Sequence, residues 1–444
     1  MKRNLLVVLV LVAVGATSSL FAQEKVLAID ECVQIALEQN PEIVMGEFTV
    51  KMANRDVVIA MSNFLPTVSV STGYYHSVVG PSSMMRVDPG TGILVPLQPD
   101  EIVSWASTAR ANVNQTLFSG GYNTLNFLAS KALKKSSEQS FEVTRQTTIL
   151  LVKERYYNLL MGEKLLNVAE ETLKSSEESF KRAEVLFQVG KVPKSDVLKA
   201  KVQLETDRLS LIQAQNSLAI AKASLNHVLG FDVDQIIKVV DNLDVSEMDV
   251  GYDDVLTNAM ANHPSLKKSM YDLSAAKAGV GMALSSYLPT VSGYYQYSWS
   301  HPEFSEMNNM LDTDFNWYMG VTLSVSLFEG FSRIASTSKA LLEKKSSIEL
   351  YEQTKRDVAL EAKTSFFEVQ QAQKSIVVSK DAVEAADEDL RLNKEKYALG
   401  AGTMLELINA QVSSASAQSD HIQALYNYKY AIARLQMAMG NLNK

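Results

Sequence analysis

Five histidines, His76, His227, His263, His301 and His421, and one cysteine, Cys32, carry the side chains most often recruited for nucleophilic, acid–base and metal chemistry. Their spacings match no metal-ligand motif, and Cys32 has no positioned partner. The chain also lacks a Gly-x-Ser-x-Gly elbow and a phosphate-cradling glycine loop. The expectation is a protein without catalytic residues, cofactor or bound metal. Cys32 can form no intramolecular disulfide and reads as a small buried apolar residue. The chemistry that spacing does favour is electrostatic. Asp196 and Glu406 lie 210 positions apart, each six residues after a glycine, Gly190 or Gly400, at which a long helical run ends.

Glycine suits a left-handed helix C-cap, and Pro193 can open the return helix at its first turn. Thr403-Met404-Leu405-Glu406 is a candidate capping box, with the Thr side chain capping and the Glu reaching back. Glu406 and, by register, Asp196 therefore read as carboxylates that stabilise a helix N-terminus, a role compatible with facing an opening. Several carboxylates facing one partly desolvated opening would repel one another and favour cations.

These residues recur because the chain is duplicated. Asn40-Pro41 returns as His263-Pro264, and Leu65-Pro66-Thr67 as Leu288-Pro289-Thr290, displaced by 223 positions. Leu117-Phe118-x-Gly120 returns as Leu327-Phe328-x-Gly330, and Leu229-Gly230 as Met439-Gly440, displaced by 210. Each copy reads as an opening helix, a β-hairpin, a long helix and a return helix. The first copy spans 23–230, with its hairpin at about 66–118, long helix 121–189 and return helix 193–229. An acidic connector at 231–250 leads to the second copy, 251–444, with hairpin at about 289–328, long helix 331–399 and return helix 403–439. At 1.5 Å per residue a helix of that length is a rod of roughly 100 Å, wrong for a globular core. Ala-rich seams at Ala214, Ala219, Ala221 and Ala223 allow close helix approach, and the opening and return helices are expected to stack end to end beside the rod.

Lys2 and Arg3 precede the apolar run Leu5 to Val14 and a small-residue stretch ending at Ala22, the pattern of a secretory signal peptide over 1–22. Gln23, not cysteine, stands directly after the expected cleavage, which argues against a lipid anchor. Without the leader, 40 basic residues face 50 acidic ones, an unfavourable balance for nucleic acid. No later stretch approaches the roughly 20 apolar residues of a membrane helix, so strands must cross any membrane.

The strands carry that pattern. Phe315, Trp317, Met319, Val321 and Leu323, continuing to Val325 and Leu327, alternate with Asn316, Tyr318, Gly320, Thr322 and Ser324. Val103, Trp105, Ala109, Ala111 and Val113 alternate with Ser104, Thr108, Arg110, Asn112 and Asn114. Period two with two different faces fits either a soluble sheet with one buried side or a wall between lipid and water. The strand lengths and the aromatics gathered toward one end favour the wall, with Arg110, Asn112 and Asn114 toward the lumen. Four strands cannot close a barrel, and open edges are not tolerated in lipid, so a membrane-spanning sheet forces oligomerisation.

At this point the chain resembles the TolC-like outer-membrane efflux proteins. The resemblance rests on Leu27-x-x-Asp30-Glu31 leading to Ala36-Leu37-x-x-Asn40-Pro41-Glu42, its second copy from Tyr252-Asp253 to His263-Pro264, the Leu-Pro-Thr strand entries and the Leu-Phe-x-Gly exits. It implies a mainly α chain with membrane β-strands: a homotrimer with a twelve-stranded barrel in outer-membrane lipid and a long antiparallel α-helical barrel through the periplasm. It further implies a passive export duct that meets a periplasmic adaptor and an inner-membrane pump. By the same resemblance, Asp196, Glu406 and Tyr397 belong to the channel tip and gate, and Asn409 stands where a second carboxylate ring would be. Gly402 replaces a basic residue that helps lock the closed tip. Gly190, Val192, Gly400 and Gly402 are the expected adaptor-contacting surface. A periplasmic coiled-coil adaptor or a structural protein without a pore is the alternative, although an adaptor would show one helical hairpin where this chain shows two in tandem.

Overall fold

The computed structural model describes residues 25–80, 84–96, 101–241 and 250–442. The leader expected over 1–22 and residues 242–249 of the expected connector lie outside the described residues. The first copy runs β1 (Lys25–Leu27), α1 (Ile29–Gln39), α2 (Pro41–Ser62), β2 (Thr67–Val79), β3 (Met85–Val87), β4 (Leu94–Pro96), β5 (Ile102–Ser119), α3 (Tyr122–Gln188) and α4 (Lys194–Leu229). After β6 (Ile237–Val239), the second runs α5 (Tyr252–Asn262), α6 (Pro264–Ser285), β7 (Thr290–His301), a 3-10 turn (Phe304–Asn309), β8 (Phe315–Ser324), α7 (Ser332–Ala398) and α8 (Met404–Ala438). The duplication extends to element lengths: α3 and α7 have 67 residues each, α2 and α6 have 22, and α1 and α5 have 11.

The chain divides into two units. One comprises Met1–Thr49, Gln139–Lys267 and Gln353–Lys444; the other comprises Val50–Glu138 and Lys268–Glu352.

In the first unit, what reads in sequence as a single opening helix is two helices in each copy, broken at Asn40-Pro41 and His263-Pro264. Proline offers no N–H and drives the residue before it into extended backbone, and Asn40 (φ −67°, ψ 127°) and His263 (φ −59°, ψ 123°) obey. Each side chain then caps the helix that follows. Asn40 Oδ1 accepts the Glu42 N–H at 2.8 Å, and His263 Nδ1 accepts the Ser265 N–H at 3.3 Å. Asn40 Nδ2 also donates to the Val228 carbonyl at 2.9 Å, so one side chain clasps the end of α4 to the start of α2. Gly230 (φ 79°) closes α4 there, and a Cβ on it would stand 3.1 Å from the Gln39 carbonyl oxygen.

The connector is not featureless: β6 pairs with β1 in parallel, Val26 opposite Lys238. The Tyr156 hydroxyl donates to the Val240 carbonyl at 2.6 Å, joining α3 to this small sheet. Leu27, Cys32, Val152, Leu159, Leu225, Leu229 and Ile237 form the core around it. Each such large side chain contributes about 1.5–3 kcal/mol on full burial.

In the second unit the antiparallel order is β2-β5-β7-β8, which leaves β2 and β8 as edges. Register converts four separate alternations into two faces. One cross-strand row is Val70, Ala111, Tyr297 and Trp317; the next is Ser71, Arg110, Ser298 and Asn316. Successive rows point to opposite sides, so apolar and polar rows define an apolar and a polar face. The β8 ladder stops at Ser324, short of the Leu327 reached by the sequence alternation, because Ser324 already pairs with Thr290, the first residue of β7 after Pro289.

Candidate gate at the helix reversals

Both reversals lie in the first unit and are built alike. Gly190 (φ 73°) ends α3: its N–H donates to Phe187 at 2.9 Å and the Lys191 N–H to Leu186 at 2.8 Å. Gly400 (φ 75°) ends α7, with the matching bonds to Tyr397 at 3.1 Å and from Ala401 to Lys396 at 2.9 Å. Each pair is a Schellman closure. A Cβ at either glycine would meet nothing, so only the left-handed backbone calls for glycine there.

The returns start differently. Pro193 has extended backbone (ψ 159°) and caps α4 from outside the helix, one position before the first-turn place expected of it, and offers no side-chain bond. Thr403 closes the capping box: its Oγ1 accepts the Glu406 N–H at 3.2 Å, and its own N–H donates to Glu406 Oε2 at 2.8 Å. The Thr403 N–H first, then the Thr403 hydroxyl and the charge of Lys396, hold the Glu406 carboxyl below its ordinary range. Glu406 and Asn409 are exposed, Asp196 is half-buried and unconstrained by any such box, and Gly402 and Val192 are half-buried beside the exposed Gly190 and Gly400.

Tyr397 is the buried member of the set, 3% exposed. Its ring packs with Ala183 of α3, Ala200 of α4, and Met404 and Leu407 of α8, so one apolar cluster ties together all four helices of the two hairpins. The hydroxyl has no hydrogen-bond partner among the described residues. Burial raises its pKa and the Asp196 carboxylate raises it further, against an opposing effect of Arg182.

Sequence reading missed a polar layer in the same hairpins. Gln411 Nε2 of α8 donates to Ser179 Oγ at 2.9 Å and Ser175 Oγ at 3.0 Å on α3. Ser414 Oγ donates to Asp387 Oδ1 of α7 at 2.6 Å, and Gln418 reaches the same oxygen at 3.0 Å. Asp207 of α4 is 7% exposed, accepts from Gln203 at 2.8 Å, and has its pKa raised by desolvation. The available signal was Gln411, Ser414 and Gln418 at spacings of three and four on one helical face.

Arg110, Asn112 and Asn114 belong to the second unit and alternate onto the polar face of β5, opposite Ser298, Gln296 and Tyr294 of β7.

The duplicated helical hairpins with a two-faced sheet define a class. The model of the outer membrane efflux protein family matches residues 32–231 and 255–441. The chain belongs to that family, and is accordingly an outer-membrane channel-tunnel extending into the periplasm, a conduit and not an enzyme. Among curated relatives, protein CyaE of Bordetella pertussis is 24% identical over 424 residues, covering 94% of this chain and 85% of that protein. Outer membrane protein TolC of Escherichia coli K12 is 22% identical over 451 residues, covering 100% of this chain and 87% of TolC. The crystal structure of the Campylobacter jejuni CmeC outer membrane channel shares the fold with a TM-score of 0.82 at 18% identity, over 93% of this chain and 86% of that one.

Proposed function

We propose that the working form is a homotrimer, in which the free edges β2 and β8 of neighbouring copies pair to close one barrel around a polar lumen lined by Arg110, Asn112 and Asn114. The observation that carries this reading is the open sheet with an apolar, aromatic face backed by a polar one. Such a sheet in lipid leaves two rows of unpaired backbone groups unless copies join.

The helix reversals serve as the gate. Asp196 and Glu406, with Asn409 below them in the return helix, line it, and the Tyr397 cluster holds the two hairpins of each copy together. Gly190, Val192, Gly400 and Gly402 form the surface offered to a periplasmic adaptor, which couples the duct to an inner-membrane pump. The duct itself is passive and carries what the pump delivers.

Reconstitution of the purified chain in planar bilayers tests this. Ion conductance without nucleotide is expected, with cation preference reduced in the Asp196→Ala/Glu406→Ala variant. Conductance with unchanged selectivity would leave Glu406 as a helix cap and Asp196 as a first-turn charge only, and absence of conductance would remove the pore.

A further inference from the structure

The loop joining β7 to β8 does not project beyond its hairpin. Its 3-10 turn packs on β5 and β7. The Phe304 ring stands edge-on to Tyr74 at 5.9 Å, and the Tyr297 hydroxyl donates to the Met310 carbonyl. Register fixes which side this is. Tyr74 pairs with Ser107, Tyr297 with Ala111 and Trp299 with Ala109, all rows of the apolar face. Trp299 is 1% exposed and Ser107 fully buried, although both stand on a single-layer sheet. In the adjacent apolar row Trp317 is 52% exposed, and on the same face two rows the other way Trp105 is 47% exposed. A side chain as large as tryptophan disappears from one side of a lone sheet only if chain lies over it.

The base of the loop is fixed as well. His301 Nδ1 accepts the Glu303 N–H at 3.0 Å, and Asp314 turns the chain back with φ 56°. On its outer surface the loop shows Phe304 and Leu311, 59% and 70% exposed, beside the acidic Glu303, Glu306 and Asp312. The Trp299 indole N–H is buried and has no hydrogen-bond partner among the described residues.

We propose that residues 302–313 form an interfacial strap on the lipid side of the barrel wall, taking the boundary between headgroups and acyl chains of the outer leaflet as its partner, and do not plug the pore mouth. The inference rests on reading the apolar face as the lipid face. Phe304 and Leu311 continue the apolar band at the depth of the aromatic girdle, while the carboxylates stay at headgroup level. Trp299 sits beneath the strap, where protein replaces lipid.

The three tryptophans, all on the apolar face, supply the test. Full-length chains keeping only Trp299 (Trp105→Phe/Trp317→Phe) or only Trp317 (Trp105→Phe/Trp299→Phe) are placed in phosphatidylcholine vesicles with brominated acyl chains, and separately titrated with aqueous iodide. Brominated lipid is expected to quench Trp317 strongly and Trp299 with a several-fold smaller slope, iodide leaving Trp299 unquenched. Equal lipid quenching of both would overturn the strap and leave the lipid face standing. Iodide quenching of Trp299 would overturn it too. Trp317 indifferent to lipid but quenched by iodide would instead remove the reading of the face on which the inference rests. If loss of Trp299 prevents folding, the Trp317 signal is read in Trp105→Phe as the quenching beyond that of the Trp299-only chain. As a second measurement, replacing 302–313 by an Asn-Gly turn is expected to leave single-channel conductance unchanged and to expose Trp299 to brominated lipid. A rise in conductance on that replacement would show a plug and contradict the strap.

Discussion

Replacing Tyr397 once by phenylalanine and once by alanine separates packing from hydrogen bonding at the proposed gate. The ring is 3% exposed among Ala183, Ala200, Met404 and Leu407, and its hydroxyl has no partner among the described residues. Phenylalanine keeps the ring and removes a buried, unpartnered hydroxyl, a change worth about 1 kcal/mol or more in favour of the packed hairpins. Alanine empties a ring-sized space at a cost of about 3–5 kcal/mol. At 1.4 kcal/mol per tenfold, the low end already shifts the balance between packed and separated hairpins by roughly a hundredfold in each copy. Single-channel recording in planar bilayers reads this as open probability. Tyr397→Phe is expected to stay as closed as the wild type or more so, and Tyr397→Ala to open. If phenylalanine opens the channel as alanine does, the hydroxyl is held by an acceptor on another copy and the packing argument fails.

The other expectations concern helix ends and buried charge. Glu406 has a depressed carboxyl, so its capping stability and its negative charge are present above the ordinary glutamate value and are lost only as pH falls through the lower folded value. Cation preference should persist into that acid range and then fall, and Glu406→Gln, which leaves Asp196 alone at the opening, should remove the Glu406 share of that step; a loss of preference already above the ordinary value would contradict this. Asp207 has the opposite sign: its raised carboxyl weakens the fold as pH rises through its folded value. Asp207→Asn should therefore raise the melting temperature at neutral pH, with the gain closing in acid, and a gain independent of pH would point to another cause. Gly190→Ala should lose only the left-handed backbone preference, about 1–2 kcal/mol. Gly440→Ala should lose more, because its φ is 70° and its Cβ would stand 2.8 Å from the Asn262 carbonyl carbon. Equal dissociation temperatures of the two variants on detergent gels would refute that ranking.

Much of this architecture was legible because it repeats. Gly190 and Gly400 mark the same closure twice, and the period-two strands needed only the register to become an apolar and a polar face. Other features left weaker marks. Asn40 and His263 were visible as members of a motif, but their capping depends on where the neighbouring helix ends arrive, which spacing does not encode. The β1–β6 pair is three residues long on each side, too short for periodicity to show. The polar layer of Gln411, Ser414 and Asp387 looks in sequence like an ordinary solvated helix face until the hairpins pack around it. Nor does any periodic pattern mark the turn after β7 as packing back on β5 and β7, or Trp299 as buried.

The oligomeric state in detergent tests the central claim most directly. Light scattering on the purified mature chain, corrected for bound detergent, should give three times the mass of one copy, and the particles should precipitate when detergent is withdrawn. A single copy that stays dispersed in plain buffer would mean that the free edges of β2 and β8 never meet a neighbour, and that the sheet does not wall a pore.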